Sequence, residues 1–171
     1  IFRKVSYGRN VDVFLLDSRS YRSQNNRNHP KNPSKETALL GQIQITWLTK
    51  ALSNSNALWK IIANPLPIAH KKKRERPRYD KFSNGDNGPP LGREFEIADI
   101  LSHIKGQKIK NIVWLAADVH YSAAHHFHPD RAAFRDFLPF WEFISGPFHT
   151  RPGRAMHYDR TFGPKRHFRT P

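Results

Sequence analysis

The chain has 171 residues and no cysteine, and 29 Lys and Arg against 14 Asp and Glu give it a formal net charge of +15. This length suffices for one domain with a buried core. The composition excludes disulfides and thiolate ligands within these residues, and no apolar run approaches the roughly 18 to 20 residues that cross a bilayer. The positive charge favours polyanions or phosphorylated substrates as partners without selecting one.

The first half of the chain predicts a strand, a helix and a strand. Residues 11–17 form a short apolar run rich in β-formers, and residues 58–64 form a second. Between them, apolar residues recur at helical spacing over residues 37–53, after a polar loop at 18–35. This alternation is typical of an α/β unit, so the predicted fold class is α/β.

The connection over residues 65–91 is unusually long, and we expect such a loop to lie near a site. It contains a basic run at 71–78 and a turn-rich stretch at 83–90. The run is read as electrostatic guidance for an anionic substrate rather than as sequence recognition. The remaining predicted elements are a helix from about Phe95 that closes near Gly106 as C′ residue, strands at 111–117 and 141–145, and an irregular tail from about residue 150.

Asp118 and His120 directly follow the third predicted strand. Ligands of α/β sheets gather beyond the carboxyl ends of the strands. In extended backbone, residues i and i+2 project to the same side, so both side chains could reach one metal ion. Such oxygen and nitrogen ligands suit Zn, Mn or Fe, and a carboxylate also suits Ca or Mg. The spacing alone is weak evidence for a metal site.

Residues 114–121, WLAADVHY, resemble the last metal-binding motif of the PhoD-like alkaline phosphatases, a branch of the calcineurin-like metallophosphoesterases. Other segments resemble motifs of the same family in the same order, and the resemblance extends over roughly residues 8–165. These segments are residues 15–22, 40–48, 59–64, 84–94 and 140–147. Several linked motifs in order are more specific than any one of them.

The resemblance implies a metallophosphoesterase-type layered α/β sandwich, of which residues 1–171 form the second, C-terminal half. It also implies metal-dependent hydrolysis of phosphate mono- or diesters at a centre with two or more Fe, Ca, Zn or Mn ions. Asp118 and His120 fit the ligand positions of the final motif, although Ala117 stands where many relatives have glycine.

The family's earlier ligand motifs lie N-terminal to anything in these 171 residues. The resemblance therefore implies that a missing N-terminal segment of the same protein completes the metal site. Because members of the family are commonly exported, a periplasmic or secreted location is expected from the resemblance alone.

Arg19 is a candidate catalytic residue, because a guanidinium just past a strand end can clamp a phosphate, as can that of Arg22. The alternative is that Arg19 pairs with Asp17 or Glu142 and holds its loop. Asp17 itself is interpreted as a structural hydrogen-bond acceptor.

Two amides are the other catalytic candidates. Asn64 follows a strand where related phosphoesterases often place a ligand, and it could bind substrate or cap the turn before Pro65. Asn87, together with Asp86, could line the substrate entrance, but Asn-Gly-Asp-Asn-Gly is also ordinary turn chemistry.

Three histidines, His125, His126 and His128, suggest zinc ligation. Alternation places His126 and His128 on one face with His120 and turns His125 away, and such histidines are more often exposed or packed. Tyr121 is expected to pack beside the site.

A hypothesis from another class is that the chain is a truncated, noncatalytic basic module that binds nucleic acid or other polyanions. The charge of +15 and the missing ligands motivate it.

Overall fold

The computed structural model describes residues 1–71, 80–153 and 157–170. They form a mixed seven-stranded sheet in the order β1-β2-β3-β4-β6-β5-β7, with two α-helices. The elements are β1 (Arg3–Tyr7), β2 (Val11–Leu15), α1 (Gln42–Ser53), β3 (Trp59–Ala63), α2 (Glu94–Gly106), β4 (Ile112–Ala116), β5 (Ala123–Phe127), β6 (Phe140–Ile144) and β7 (Pro164–Arg169). Short 3-10 helices lie at Lys35–Thr37 and Pro129–Arg131.

The four strands predicted from sequence are the parallel centre of the sheet. β2, β3, β4 and β6 are parallel neighbours, whereas β1, β5 and β7 pair antiparallel at the two sides. These strands carry apolar side chains on both faces of the sheet, so their sequences are near-continuous apolar runs that are recognisable without alternation. The α/β class is confirmed at this level.

The prediction of an irregular tail from about residue 150 is wrong in part, because β7 covers Pro164–Arg169. β7 has no apolar alternation, since it is exposed along nearly its whole length and pairs only with β5. β5 and β1 were missed as well. Their residues are mostly polar, small or half-buried, and such strands are formed by pairing rather than by a hydrophobic pattern.

Both predicted helices are present with shifted ends. α1 begins at Gln42, not at residue 37, because Gly41 lies before it at φ 82°, outside helical conformation. α2 runs through Gly106, and the left-handed C′ residue is Lys108 at φ 53°. The Ile109 N–H reaches back to the Ile104 carbonyl at 2.9 Å, as in a Schellman motif.

The hydrophobic core lies between one face of the sheet and the two helices. From β2, β3 and β4 it includes Phe14, Ile62 and Trp114, all fully buried. The Phe127 and Phe140 rings of β5 and β6 stack on the same side at 4.6 Å. Burial of these large side chains supplies the main stabilisation of the fold.

The opposite face of the sheet is apolar and open to solvent. Leu115 on β4 is directly opposite Phe143 on β6, and their exposed fractions are 40% and 43%. Trp59 on β3 is 45% exposed, and Phe168 on β7 is 57% exposed. No helix among the described residues is long and apolar enough to span a bilayer.

Candidate active site

The carboxyl ends of the parallel strands bring four of the five predicted site residues to one edge of the sheet. Main-chain hydrogen bonds continue the pairing there: the Asn64 N–H donates to the Leu115 carbonyl at 2.8 Å and the Ser145 N–H donates to the Ala116 carbonyl at 2.9 Å. The loops after β2, β3 and β4 therefore meet at this edge, and Arg19, Asn64, Asp118 and His120 begin them. Such an edge is where α/β proteins bind ligands.

Asp118 and His120 are both exposed, but the backbone that carries them is not extended. Their φ angles are 72° and 60°, in the left-handed region. The premise that i and i+2 alternation aligns them is therefore wrong, because β4 ends at Ala116 and the chain turns immediately. Two non-glycine residues in this region form a locally strained segment, and such strain clusters at functional sites.

The side chains of Asp118 and His120 form no hydrogen bond or ion pair with any residue in the described ranges. A carboxylate and an imidazole that are exposed and unengaged are free to bind a cation. The described residues contain no group of three or more His, Asp or Glu side chains placed to hold one. Asp118 and His120 are thus side chains of the type that binds metal ions. The described residues, however, supply too few ligands for a complete coordination shell.

Asn64 is buried, with an exposed fraction of 3%. Its Nδ2 donates to the Leu66 carbonyl at 2.5 Å, so the interpretation as a cap of the turn is correct. Its Oδ1, however, has no hydrogen-bond partner among the described residues. Since buried polar atoms are nearly always paired, this buried oxygen lacks a partner that would be expected.

Asp17 is a structural acceptor, as predicted. Its carboxylate accepts from the Arg19 N–H at 2.8 Å and from the N–H and hydroxyl of Ser20 at 2.9 and 2.6 Å. The Gln44 carboxamide of α1 also bonds both main-chain groups of Asp17, at 2.7 and 2.9 Å. The turn that carries Arg19 is therefore fixed from two sides.

The Arg19 side chain is exposed and makes no ion pair within the described ranges. The predicted alternative, in which Arg19 pairs with Asp17 or Glu142, is not observed. Only its main-chain N–H contacts Asp17. The guanidinium is consequently free for an anion, whereas Arg22 bonds the Asn25 side chain.

Asn87 is exposed at φ 61° and belongs to a tightly held loop. Its Oδ1 accepts from the Arg160 N–H at 3.2 Å. The neighbouring Asp86 pairs with the His29 ring at 3.1 Å. Both side chains thus have structural partners, and no hydrogen bond joins Asn87 to the other predicted site residues in the described part of the chain.

Two buried carboxylates that the sequence did not single out hold this loop. Glu94 accepts from the main-chain and side-chain nitrogens of Asn84 at 3.1 and 2.7 Å. Asp159 accepts from the Ser83 hydroxyl at 3.0 Å and the Gly85 N–H at 2.6 Å. Burial, and then the neighbouring Asp159, raise the pKa of Glu94 to about 8. The loop is therefore held in place by two buried side chains.

The histidines of β5 separate as predicted. His125 is buried and its Nδ1 lies 3.1 Å from Glu142 Oε2, whereas His126 points to the other face and packs on Trp141 at 4.8 Å between ring centroids. His126 and His128 have ring centroids 5.8 Å apart. Tyr121 is buried beneath the motif, and burial raises the pKa of its phenol, with Tyr158 the next cause.

Gln44 and Glu142 are buried hydrogen-bonding residues whose structural roles were not predicted, but their positions in the sequence pattern indicate them. Gln44 lies on the buried stripe of α1 with Ile45 and Leu48. Glu142 alternates with Phe140 and Ile144 on the inward face of β6. A polar residue at an apolar-period position indicates a buried hydrogen-bonding role. Most of the basic run, residues 72–78, lies outside the described residues.

A mixed α/β sheet with unengaged polar side chains at its carboxyl edge is typical of α/β proteins that bind and transform a ligand there. Residues 1–167 match the family model for PhoD-like phosphatase. The chain therefore belongs to the PhoD-like phosphatase family, a family of hydrolases, as the sequence motifs predicted.

Individual relatives agree. The chain is 29% identical over 143 residues to alkaline phosphatase D of Bacillus subtilis strain 168, with 76% of this chain and 23% of that protein covered. It is also similar to a solved structure titled "Structure of PhoD", with a TM-score of 0.59 and 26% identity over 85% of this chain and 28% of that one. The chain thus spans about a quarter of the length of these relatives.

Proposed function

We propose that the natural protein hydrolyses phosphate mono- or diesters in a metal-dependent reaction, and that this chain supplies part of the site. The observation that carries the proposal is the pair Asp118 and His120 at the carboxyl edge of the sheet. Both are exposed and held in left-handed backbone, and neither side chain has a hydrogen bond or ion pair within the part of the chain that the structure describes. Family membership agrees with this chemistry.

In this proposal Asp118 and His120 hold a metal ion of the Fe, Ca, Zn or Mn type. When bound, such metals neutralise the charge that develops on phosphate oxygens. Arg19, whose guanidinium is free within the described residues, binds a further phosphate oxygen. The unpaired Asn64 Oδ1 orients a ligand, and Asn87 contributes by fixing the wall of the entrance.

The chain forms the second half of a layered α/β sandwich in this proposal. The apolar face around Leu115 and Phe143 supports it, because contiguous exposed apolar surface on a sheet is normally covered. We propose that a second layer, supplied by an N-terminal segment of the same protein, covers this face and brings the remaining ligands. From the family resemblance we also propose that the protein is periplasmic or secreted.

The test uses the full natural chain. Purified wild type, Asp118→Ala and the control Asp136→Ala are compared for bound metal and for hydrolysis of a chromogenic phosphate monoester and diester. Asp136 is an exposed carboxylate paired with Lys105, so its removal should change neither quantity. Loss of metal and of hydrolysis in Asp118→Ala alone is expected, and equal activity in all three proteins removes Asp118 from the site.

The same preparation distinguishes the phosphatase proposal from a second candidate function, polyanion binding without catalysis. The formal charge of +15 and the exposed basic strand β7 favour polyanion binding. Salt-sensitive binding to nucleic acid, with neither bound metal nor hydrolysis in the wild type, would replace the phosphatase proposal by the noncatalytic one.

A further inference from the structure

Glu142 lies in the middle of β6 and has an exposed fraction of 1%. Its Oε2 lies 3.1 Å from His125 Nδ1, and its Oε1 accepts from the Ile68 N–H at 2.8 Å. The His125 ring and the Ile68 N–H thus each contact one oxygen of the same side chain. One buried side chain thus joins β5, β6 and the segment that follows β3.

Residues 66–70, in the segment after β3, are buried, and their polar groups must therefore find partners inside the protein. Leu66 and Ile68 have exposed fractions of 5% and 0%. The Ile68 N–H goes to Glu142 and the Ala69 carbonyl accepts from the Asp159 N–H at 2.9 Å. The Leu66 carbonyl accepts from Asn64 Nδ2. Glu142 thus holds the main chain of this segment at Ile68 through its side-chain oxygen.

These contacts form a continuous path from Glu142 to the amide of Asn64. Glu142 fixes the main chain at Ile68, two residues past Leu66, and the Leu66 carbonyl in turn fixes Asn64 Nδ2. Once Nδ2 is fixed, the planar carboxamide sets the direction of Oδ1, the atom without a hydrogen-bond partner among the described residues. Asn64 cannot turn its oxygen without losing its contact with Leu66.

We infer that Glu142 is a positioning residue, which sets the direction of the Asn64 carboxamide oxygen by holding the segment after β3. The functional part of this inference rests on the proposed function. Supporting residues of this kind typically change metal affinity or activity by about 10- to 100-fold when removed. Glu142→Ala should therefore lower kcat/KM by about that factor, although the role inferred for Glu142 involves no contact with the substrate.

The experiment is a double-mutant cycle in the full natural chain between Glu142→Ala and Asn64→Ala. If Glu142 acts through Asn64, the double variant is no slower than the slower single variant. Glu142→Gln keeps an acceptor for the Ile68 N–H, and its amide nitrogen can donate to His125 Nδ1 when that ring nitrogen is the acceptor, so activity should stay within about threefold.

The matched control is Asp12→Ala. Asp12 is also a buried carboxylate, 4% exposed, but it accepts from Ser6 and Ser55 near the opposite end of β2. Its removal destabilises the sheet without reaching Asn64, so its effect on kcat/KM should multiply with that of Asn64→Ala.

A second measurement does not depend on activity. Hydrogen exchange should become faster in peptides covering residues 64–71 of Glu142→Ala and stay unchanged in those covering α1. If Glu142→Ala is not recovered folded, Glu142→Asp, which withdraws the carboxylate by one methylene, replaces it.

The outcomes separate the two proposals. Unchanged exchange over residues 64–71, or effects that multiply between Glu142→Ala and Asn64→Ala, overturns the positioning role. Wild-type protein without hydrolysis, combined with faster exchange in the variant, overturns the proposed function and leaves Glu142 as the residue that orients Asn64.

Discussion

The N–H of Gly153 donates to the carbonyl oxygen of His120 at 2.5 Å. A Cβ atom at position 153 would lie 2.2 Å from the Val119 carbonyl oxygen and 3.2 Å from the His120 Cβ. The segment after β6 therefore lies directly against the strained turn that carries Asp118 and His120. Only a residue without a side chain permits that approach.

Gly153→Ala should displace the turn, because the clash is with backbone that cannot rotate away. We expect metal affinity and kcat/KM of the full natural chain to fall by about 10-fold or more, as for other supporting contacts of a metal site. Titration with the metal and steady-state assays measure both. Gly106→Ala is the control, since a Cβ there meets nothing within 4 Å; equal behaviour of the two variants would show that the close approach is dispensable.

Arg19→Ala should raise KM for a phosphate ester by about 10-fold, because a charge-assisted hydrogen bond to the substrate is lost. Arg19→Lys should recover part of the loss, since it restores the charge but not the fork of donors. Arg9 is an exposed arginine before β2, at the other edge of the sheet. The control variant Arg9→Ala lowers the net charge by the same amount as Arg19→Ala. An equal rise in KM for Arg9→Ala would mean that only the overall field matters.

The raised pKa of Glu94 predicts how stability depends on pH. Between pH 4.5 and about 8 the unfolded chain releases this proton while the folded chain keeps it. The free energy of unfolding should therefore fall as pH rises through this window, by at most ~1.4 kcal/mol per pH unit from this group. Urea unfolding should show Glu94→Gln gaining stability relative to wild type from pH 5 to pH 8. Surface Glu36→Gln is the control, and a constant difference for Glu94→Gln across the window contradicts the assignment.

The open sheet face gives a prediction for the full natural chain. If another layer covers Phe143, then Phe143→Glu places a charge in an apolar interface and should cost on the order of 3 kcal/mol or more. Phe148→Glu is the matched control, because Phe148 is fully exposed at 103% and lies beyond the strand. Chemical unfolding of both variants measures the difference. Equal stabilities would show that the face stays solvent-exposed.

The sequence predicted the elements whose residues pack against one core. β2, β3, β4, β6 and both helices have apolar runs or 3.6-residue spacing, because their burial is decided locally. The position of Asp118 and His120 at the edge of the sheet was also predictable, because a polar motif that directly follows a strand lies at that edge.

Tertiary structure decided the rest. β1, β5 and β7 are strands only because a neighbouring strand pairs with them, and the apolar spacing of α1 did not reveal that the helix begins only after Gly41. Left-handed backbone at Asp118 and His120 replaced the expected alternation, and the hydrogen bond from the Ile68 N–H to Glu142 joins residues 74 positions apart. Local pattern determines which residues are buried, whereas long-range hydrogen bonds determine where each polar atom points, because the partner comes from a distant part of the chain.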